Sequence, residues 1–502
     1  MKPFELGGRV TLTELAEVAE RGRPVHLTPA VRRLLRRSRA RLESAVASGA
    51  PVYGVNTGFG ELASRRIPAS DVRALQKNLV LSHACGAGEP LRESECRAIL
   101  FLRANELSRG HSGCRPALVE LMAQLLNRGI SPVIPSRGSV GASGDLAPQA
   151  HAALLLIGLG RARRGGREME GAKALAAAGL KPLALEAKEG LSLVNGTQAM
   201  QAVGGLALRD AARTLSASDI AGAMSLEAMT GTPVPFDARL SVLKAHPGQV
   251  KTAARLRRLL AGSQIRESHR RGDPRVQDPY SLRCMPQVHG AVADALAYAL
   301  RVVETEMDSV TDNPILTGGA VLSGGNFHGQ ALSMAYDHAA LAMTVLGGIS
   351  ERRIFQLVSG QAPRLSPFLA SDPGLESGYM MLQVTAAALA SENKVLAHPA
   401  SADSIPTSAF KEDFVSMGMG AALKFRQITV NSAQIAAIEL LAAAQGLEAH
   451  KPLKPGKGVA KAFSLLRAEV PASRGDEPMS EKMRIVKDMV LRGELEQVAG
   501  AP

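Results

Sequence analysis

The stretch Gly138-Ser139-Val140-Gly141-Ala142-Ser143-Gly144-Asp145-Leu146-Ala147-Pro148 contains three consecutive residues able to react with one another. Small side chains at 141 to 144 let the backbone fold back until the amide nitrogen of Gly144 reaches the carbonyl carbon of Ala142. A glycine nitrogen is the least hindered amide nucleophile in a polypeptide. Closing that bond with loss of water, and losing the Ser143 hydroxyl as a second water, leaves a conjugated five-membered ring with an exocyclic methylene. Such a ring is an electrophile that needs no metal and no external cofactor. Ala-Ser-Gly alone is too common to carry this reading, so its surroundings matter. Asp145 stands at the N-cap position of the apolar run from Leu146 to Leu159, which reads as a buried helix. The positive end of that helix dipole would stabilise negative charge developing on the ring.

A general base beside such a ring belongs on a loop rather than in a core. Of the five tyrosines, Tyr53 lies in the Gly-rich loop Tyr53-Gly54-Val55-Asn56-Thr57-Gly58-Phe59-Gly60, expected to be mobile or tightly turned. Tyr280 follows Pro279, whereas Tyr298 and Tyr336 fall inside helical runs. Arg283 comes three residues after Tyr280, a spacing that puts both on one face of a helical turn. Its guanidinium can hold a carboxylate through two parallel hydrogen bonds. Asn195 precedes a long apolar helix and reads as an N-cap or a site residue. The eleven histidines, His328 among them, show no HExxH pattern, so no metal site is expected. Cys85, Cys96, Cys114 and Cys284 lack both CxxC spacing and the density of a disulfide framework, which fits a reducing cytoplasm. Lys454-Pro455-Gly456-Lys457-Gly458 reads as a turn, since its GKG lacks the rest of a phosphate-binding loop.

In order along the chain stand YGVNTGFG at 53–60, NLVLSHACGAG at 78–88, GSVGASGDLAP at 138–148, NGTQ at 195–198, QDPYSLRC at 277–284, DNP at 312–314, GGNFHGQ at 324–330, and HPAS with PTSAFKEDFVSM between 398 and 417. This series, covering about residues 50 to 460, resembles the aromatic amino acid ammonia-lyase family. The resemblance implies that Ala142, Ser143 and Gly144 become a methylidene-imidazolone prosthetic group. It also implies Tyr53 as the proton-abstracting base on a lid-like loop, Tyr280 in support, and Arg283 on the substrate α-carboxylate. Asn195 is placed beside the prosthetic group against the amino acid moiety, Gln277 joins the same polar wall, and Phe327 walls the ring system. The chemistry accounts for such a set: the β-proton to be removed is not acidified by any carbonyl, and the amine is a poor leaving group until an electrophile captures it.

Selectivity turns on the residues that meet the substrate side chain. Ser82-His83 stand where members acting on phenylalanine or tyrosine carry Phe-Leu or His-Leu, and Ser-His is typical of histidine-specific members. Glu412 stands where those members place a glutamate and plant-type phenylalanine members a glutamine. An imidazole and a carboxylate suit a substrate imidazole, whereas a phenyl ring would leave them unpaired at roughly 1–3 kcal/mol each. The resemblance therefore implies conversion of L-histidine to trans-urocanate and ammonia, the entry to histidine degradation. The alternative is a tyrosine or phenylalanine ammonia-lyase, or an aromatic aminomutase, using the same prosthetic group. Phe410, Lys411 and Phe414 replace the Asn, Gln and His of many histidine-specific members, which predicts a more apolar and more positive pocket rim. Lys411 either pairs with Glu412 or points to solvent.

Helices must position these residues. The chain of 502 residues is 46% hydrophobic with 3% aromatics and no Trp, a balance favouring close-packed helices over β-sandwiches. From about 195 to 450, long Ala/Leu-rich segments alternate with short polar loops without an internal repeat. Ile428, Ile435, Ile438 and Leu441 recur at helical spacing with Ala436, Ala437, Ala442 and Ala443 between them, so this helix is buried on several sides. A central bundle shared between subunits follows. The resemblance implies a mainly α, aspartase/fumarase-like bundle of long antiparallel helices, with a smaller N-terminal region carrying the active-site loop. Residues 1–200 are expected to form that region and 201–502 the bundle and C-terminal part, and the resemblance further implies a homotetramer whose active sites neighbouring subunits complete. The formal charge of +13 raises a nucleic-acid reading. Its densest run, Arg32 to Arg41, alternates with Leu34 and Leu35 like a solvated helix face and has no aromatic residue to stack on bases. The N-terminus lacks an apolar leader, and no run of about 18 apolar residues spans a bilayer. A cytoplasmic enzyme of a small amino acid, with neither nucleic-acid nor membrane partners, is expected.

Overall fold

The computed structural model describes residues 1–49 and 51–499. Among them are twenty α-helices and four small sheets of two or three short strands. The longest helices are Gln198–Ala228, Met285–Met307, Gln330–Val358 and Gly418–Glu448. No helix among the described residues is long and apolar enough to cross a membrane. The chain divides into two compact units, each gathered from three stretches of sequence.

The first unit holds residues 1–206, 300–337 and 399–423. The helix Glu93–Leu107 is buried from Glu95 onward, enclosed by Leu12–Ala19 and Pro116–Asn127. Several of its buried polar residues reach partners distant in sequence, as burial favours. Arg97, for example, donates to the carbonyls of Val18 and Ala19 at 3.0 Å each. The helix Val72–His83 packs against Leu146–Leu156 and Glu189–Val194, and these three elements carry much of the site. The helix predicted from Leu146 to Leu159 stops at Leu156. Gly158, at φ +76°, turns the chain in a left-handed conformation that glycine adopts without a Cβ penalty.

The second unit holds residues 207–299, 338–398 and the chain from 424. Ile435, Ile438 and Leu441 join Ile220, Met224, Ile354 and Leu357 in one apolar cluster, as their spacing predicts. Alanines on the remaining faces let neighbouring helices approach closely. Within this apolar interior lies a chain of paired charges. Arg353 Nε meets Glu439 Oε1 at 2.6 Å with both side chains fully buried, and Ser225 donates to the same carboxylate at 2.8 Å. His289 bridges Arg353, at 3.2 Å, to Asp219, at 2.7 Å, and Asp219 pairs with Arg255 at 2.6 Å. Burial of so many charges is tolerable only because each has a partner. At the predicted turn after Leu453, the helix Lys457–Glu469 takes in Lys457 and Gly458, and only Lys454 to Gly456 remain outside it.

Candidate functional site

A cavity of about 450 Å³ opens within the first unit. Six of the residues singled out from sequence line it: Tyr53, His83, Ser143, Asn195, Phe327 and Glu412. Leu75, Leu79, Leu146, Leu191 and Val194 supply an apolar wall. A few polar groups converging in an apolar hollow is the usual form of a small-molecule site.

The tripeptide is held on both flanks. Upstream, the Val140 carbonyl accepts from the Met417 amide at 2.8 Å, and the Gly141 carbonyl from Ser416 Oγ at 2.9 Å. Downstream, Gly196 N donates to the Ser143 carbonyl at 3.1 Å and the Gly196 carbonyl accepts from Asp145 N at 2.8 Å. Gly144, at φ +73°, lies against Gly196 so closely that a Cβ on residue 144 would sit 2.0 Å from the Gly196 oxygen. Only glycine fits there, and it is glycine whose nitrogen is the unhindered nucleophile. Gln149 and Arg103 brace Gly196 from behind: Gln149 Nε2 donates to the Gly196 carbonyl at 2.7 Å, and Arg103 Nε donates to Gln149 at 2.9 Å.

Asp145 occupies the N-cap position of Leu146–Leu156, but its side chain does not cap the helix. Its carboxylate instead accepts from Ser139 Oγ and from Met200 N, each at 2.8 Å. Burial pushes this carboxyl up to about 6 in spite of those bonds. The cradle of small residues, two pinned flanks and a helix N-terminus fits a ring closed from Ala142, Ser143 and Gly144.

Tyr53 sits in a tight turn rather than a loose loop. Gly54 N donates to Thr57 Oγ1 at 3.1 Å, Gln76 Nε2 donates to the Gly54 carbonyl at 3.0 Å, and the Tyr53 hydroxyl accepts from Gly60 N at 3.1 Å. Gly54, at φ +64°, has Leu191 so near that any Cβ would collide. His83 ends the helix Val72–His83, half-buried, with Nδ1 3.1 Å from Ser82 Oγ. Burial lowers its pKa below the usual imidazole value, against the opposing pull of the Leu79 backbone and of Glu412, so a neutral ring is favoured near pH 7.

Glu412 closes a turn from Thr407, their backbones joined by bonds of 2.9 and 3.3 Å. Its Oε1 accepts from Ser143 Oγ at 2.8 Å and its Oε2 from Thr407 Oγ1 at 2.5 Å. Asn195 is not an N-cap. It closes the short helix Glu189–Val194 at its C-terminal end, and its Nδ2 donates to the Asn313 carbonyl at 3.3 Å. Beneath them Lys188 and Asp312 form a fully buried pair at 2.6 Å, shared with Ser192. Burial alone would raise the Asp312 carboxyl, but Lys188 beside it holds it below the ordinary value.

Besides Ala142 and Gly144, which flank Ser143, three expected residues do not line this cavity. Gln277, Tyr280 and Arg283 belong to the second unit, where Gln277 and Arg283 line a groove with Cys284. Tyr280 and Arg283 do share one face of the helix Tyr280–Arg283, the guanidinium lying 4.5 Å from the ring centroid, and Tyr280 is 70% exposed. The predicted rim is also redrawn. Phe410 and Phe414 are exposed and do not line the cavity, and Lys411 pairs with Glu61 at 3.4 Å rather than with Glu412. Among the described residues no group of three or more His, Cys, Asp or Glu is arranged to hold a metal. Thr407 and Gly196 escaped the sequence reading. Both lie inside quoted motifs, but nothing in their own type or spacing points to Glu412 or Gly144.

Residues 10–468 match the family model for aromatic amino acid lyases. A histidine ammonia-lyase of Sorangium cellulosum is 52% identical, over 98% of this chain and 97% of its own. One of Myxococcus xanthus is 50% identical, over 97% and 96%. Among solved structures, tyrosine aminomutase from Streptomyces globisporus superposes with a TM-score of 0.94 at 36% identity, covering 99% and 98% of the two chains. Histidine ammonia-lyase from Trypanosoma cruzi gives 0.91 at 37%, covering 99% and 95%. The fold is the mainly α, aspartase/fumarase-like helical architecture. Matched by the family model over nearly all its length and by relatives at about half identity, the chain belongs to the aromatic amino acid lyase family.

Proposed function

We infer that this chain converts L-histidine to trans-urocanate and ammonia, the first step of histidine degradation, at an electrophile condensed from its own Ala142, Ser143 and Gly144. One observation supports the substrate above others: an imidazole, His83, and a carboxylate, Glu412, line the same cavity as Ser143. The relatives at about half identity that are named histidine ammonia-lyases agree with it. A methylidene-imidazolone, once formed, turns the substrate amine into a better leaving group.

The side chains of this protein do the rest. Tyr53 takes the proton from the substrate β-carbon at its phenolic oxygen, held ready by the turn that carries it. His83 and Glu412 hydrogen-bond the two nitrogens of the substrate imidazole, and Phe327 flanks its ring. Asn195 orients the amino acid moiety. Arg283 binds the α-carboxylate, with Gln277 and Tyr280 beside it, and these three residues reach the cavity from a neighbouring subunit of a homotetramer. The site is then enclosed and drier than the open cavity, which strengthens each polar contact. A cytoplasmic location fits the free thiols, of which Cys96 and Cys114 are buried.

Incubation with L-histidine, L-tyrosine and L-phenylalanine in parallel tests this. Urocanate and ammonia from histidine alone are expected. Coumarate, cinnamate or a β-amino acid isomer, with no urocanate, would move the substrate assignment to the tyrosine, phenylalanine or aminomutase alternative.

A further inference from the structure

The turn that delivers Glu412 is unusual in its backbone. Ser408, Ala409 and Phe410 are consecutive non-glycine residues with φ of +52°, +51° and +65°. Each left-handed residue of this kind costs roughly 1–2 kcal/mol. Three in a row persist only where the surroundings over-determine them. Here the turn is closed by the paired Thr407 and Glu412 backbones, and it packs against the Gly60–Ser64 segment, where Lys411 meets Glu61. On the cavity side it presents Ser408 and places the Glu412 carboxylate.

That carboxylate has two oxygens in two circumstances. Oε1 accepts from the hydroxyl of Ser143, and Oε2 from the hydroxyl of Thr407. Ring closure joins the Gly144 nitrogen to the Ala142 carbonyl carbon. The carbonyl oxygen leaves as water with the amide hydrogens of Ser143 and Gly144, and Ser143 loses its hydroxyl with its α-hydrogen as a second water. Oε1 then has no hydroxyl partner and is open to the substrate, while Oε2 keeps its bond to Thr407. We propose that Thr407 is the positioning residue for Glu412: its hydroxyl fixes the carboxylate rotamer so that the oxygen vacated by Ser143 faces the substrate imidazole. This rests on the assignment of Glu412 to imidazole recognition. Thr407 does not touch the substrate and acts only through Glu412. A freely rotating carboxylate would still bind imidazole but would hold it less often in the reactive orientation, a loss that falls mainly on kcat.

A double-mutant cycle tests the proposal, with kcat and KM for L-histidine read on variants whose mass shows the loss of two waters and whose melting matches the parent. Thr407→Val keeps the branched shape and removes the hydroxyl, and we expect kcat to fall about tenfold with KM little changed. Thr407→Ser restores a hydroxyl and should recover the parent value within about threefold. In a Glu412→Ala background Thr407→Val should change kcat by less than about twofold. Parent-like kcat in Thr407→Val, or an equal loss in both backgrounds, overturns the proposal. Parent-like turnover of histidine by Glu412→Ala would instead remove the assignment of Glu412 on which it rests. Should Thr407→Val fail to fold, Thr407→Ala takes its place in the cycle.

Discussion

Ser143 is the residue at which the proposed chemistry begins, its hydroxyl being spent in making the proposed electrophile. Ser143→Ala keeps the backbone and removes the group lost as the second water. We expect a folded protein whose turnover of histidine falls by at least about a hundredfold, checked by urocanate formation at matched melting temperature. Glu412→Gln keeps size and one acceptor but gives up the charge, so kcat/KM for histidine should fall by roughly tenfold or more. Six residues of the candidate site were legible in the sequence and share one cavity, because the proposed chemistry demands particular residue types. An unhindered nitrogen must be glycine, a lost hydroxyl must be serine, and a loop base among five tyrosines left few choices. What stayed hidden was pairing across sequence. Gly196 against Gly144, Thr407 on Glu412 and Lys411 on Glu61 join residues whose partners no local pattern announces. Asp145 shows the limit from the other side: the sequence placed it at the helix start, yet Ser139 and Met200 take its carboxylate.

Elements hold the site through contacts that leave little slack. Gly204 in the helix Gln198–Ala228 faces Tyr336, and a Cβ there would lie 2.0 Å from the ring carbon that bears the hydroxyl. Tyr336 in turn donates its hydroxyl to the Met200 carbonyl at 3.0 Å, in the turn of helix beside Asp145's partner amide. Gly204→Ala should destabilise the protein by about 1–3 kcal/mol, read from its denaturant midpoint. In the second unit, burial pushes Glu227 up to about 7, although Ser263 and the Gly456 amide oppose the shift. Its folded pKa thus exceeds its unfolded value of 4.5. The stabilisation this gives is full below pH 4.5 and is lost as pH rises through about 7, a change bounded at about 3 kcal/mol. Glu227→Gln should therefore narrow the difference between urea midpoints at pH 5 and pH 8, and an unchanged difference would contradict the assignment. Helix existence was legible from Ala/Leu periodicity. Helix ends were not, because Gly158 ended one early and Lys457 began another early.

For the molecule as a whole, the proposed assembly accounts for two observations at once: Tyr280, proposed as a site residue, is 70% exposed, and apolar Leu341, Met381 and Val384 are exposed on helices of the second unit. If sites are shared, Tyr53→Phe and Arg283→Ala chains, each inactive alone, should regain activity when dissociated and reassembled together, with about a quarter of sites intact on random mixing. No recovery in confirmed mixed tetramers would place both residues on one chain's site. The proposed reaction depends on three neighbours in this polypeptide condensing into the electrophile, and the intact mass of freshly purified, active protein reads whether they have. The chain should be lighter than its sequence by two water molecules, and Ser143→Ala should lack that full deficit. A fully active chain at its unmodified sequence mass would contradict it.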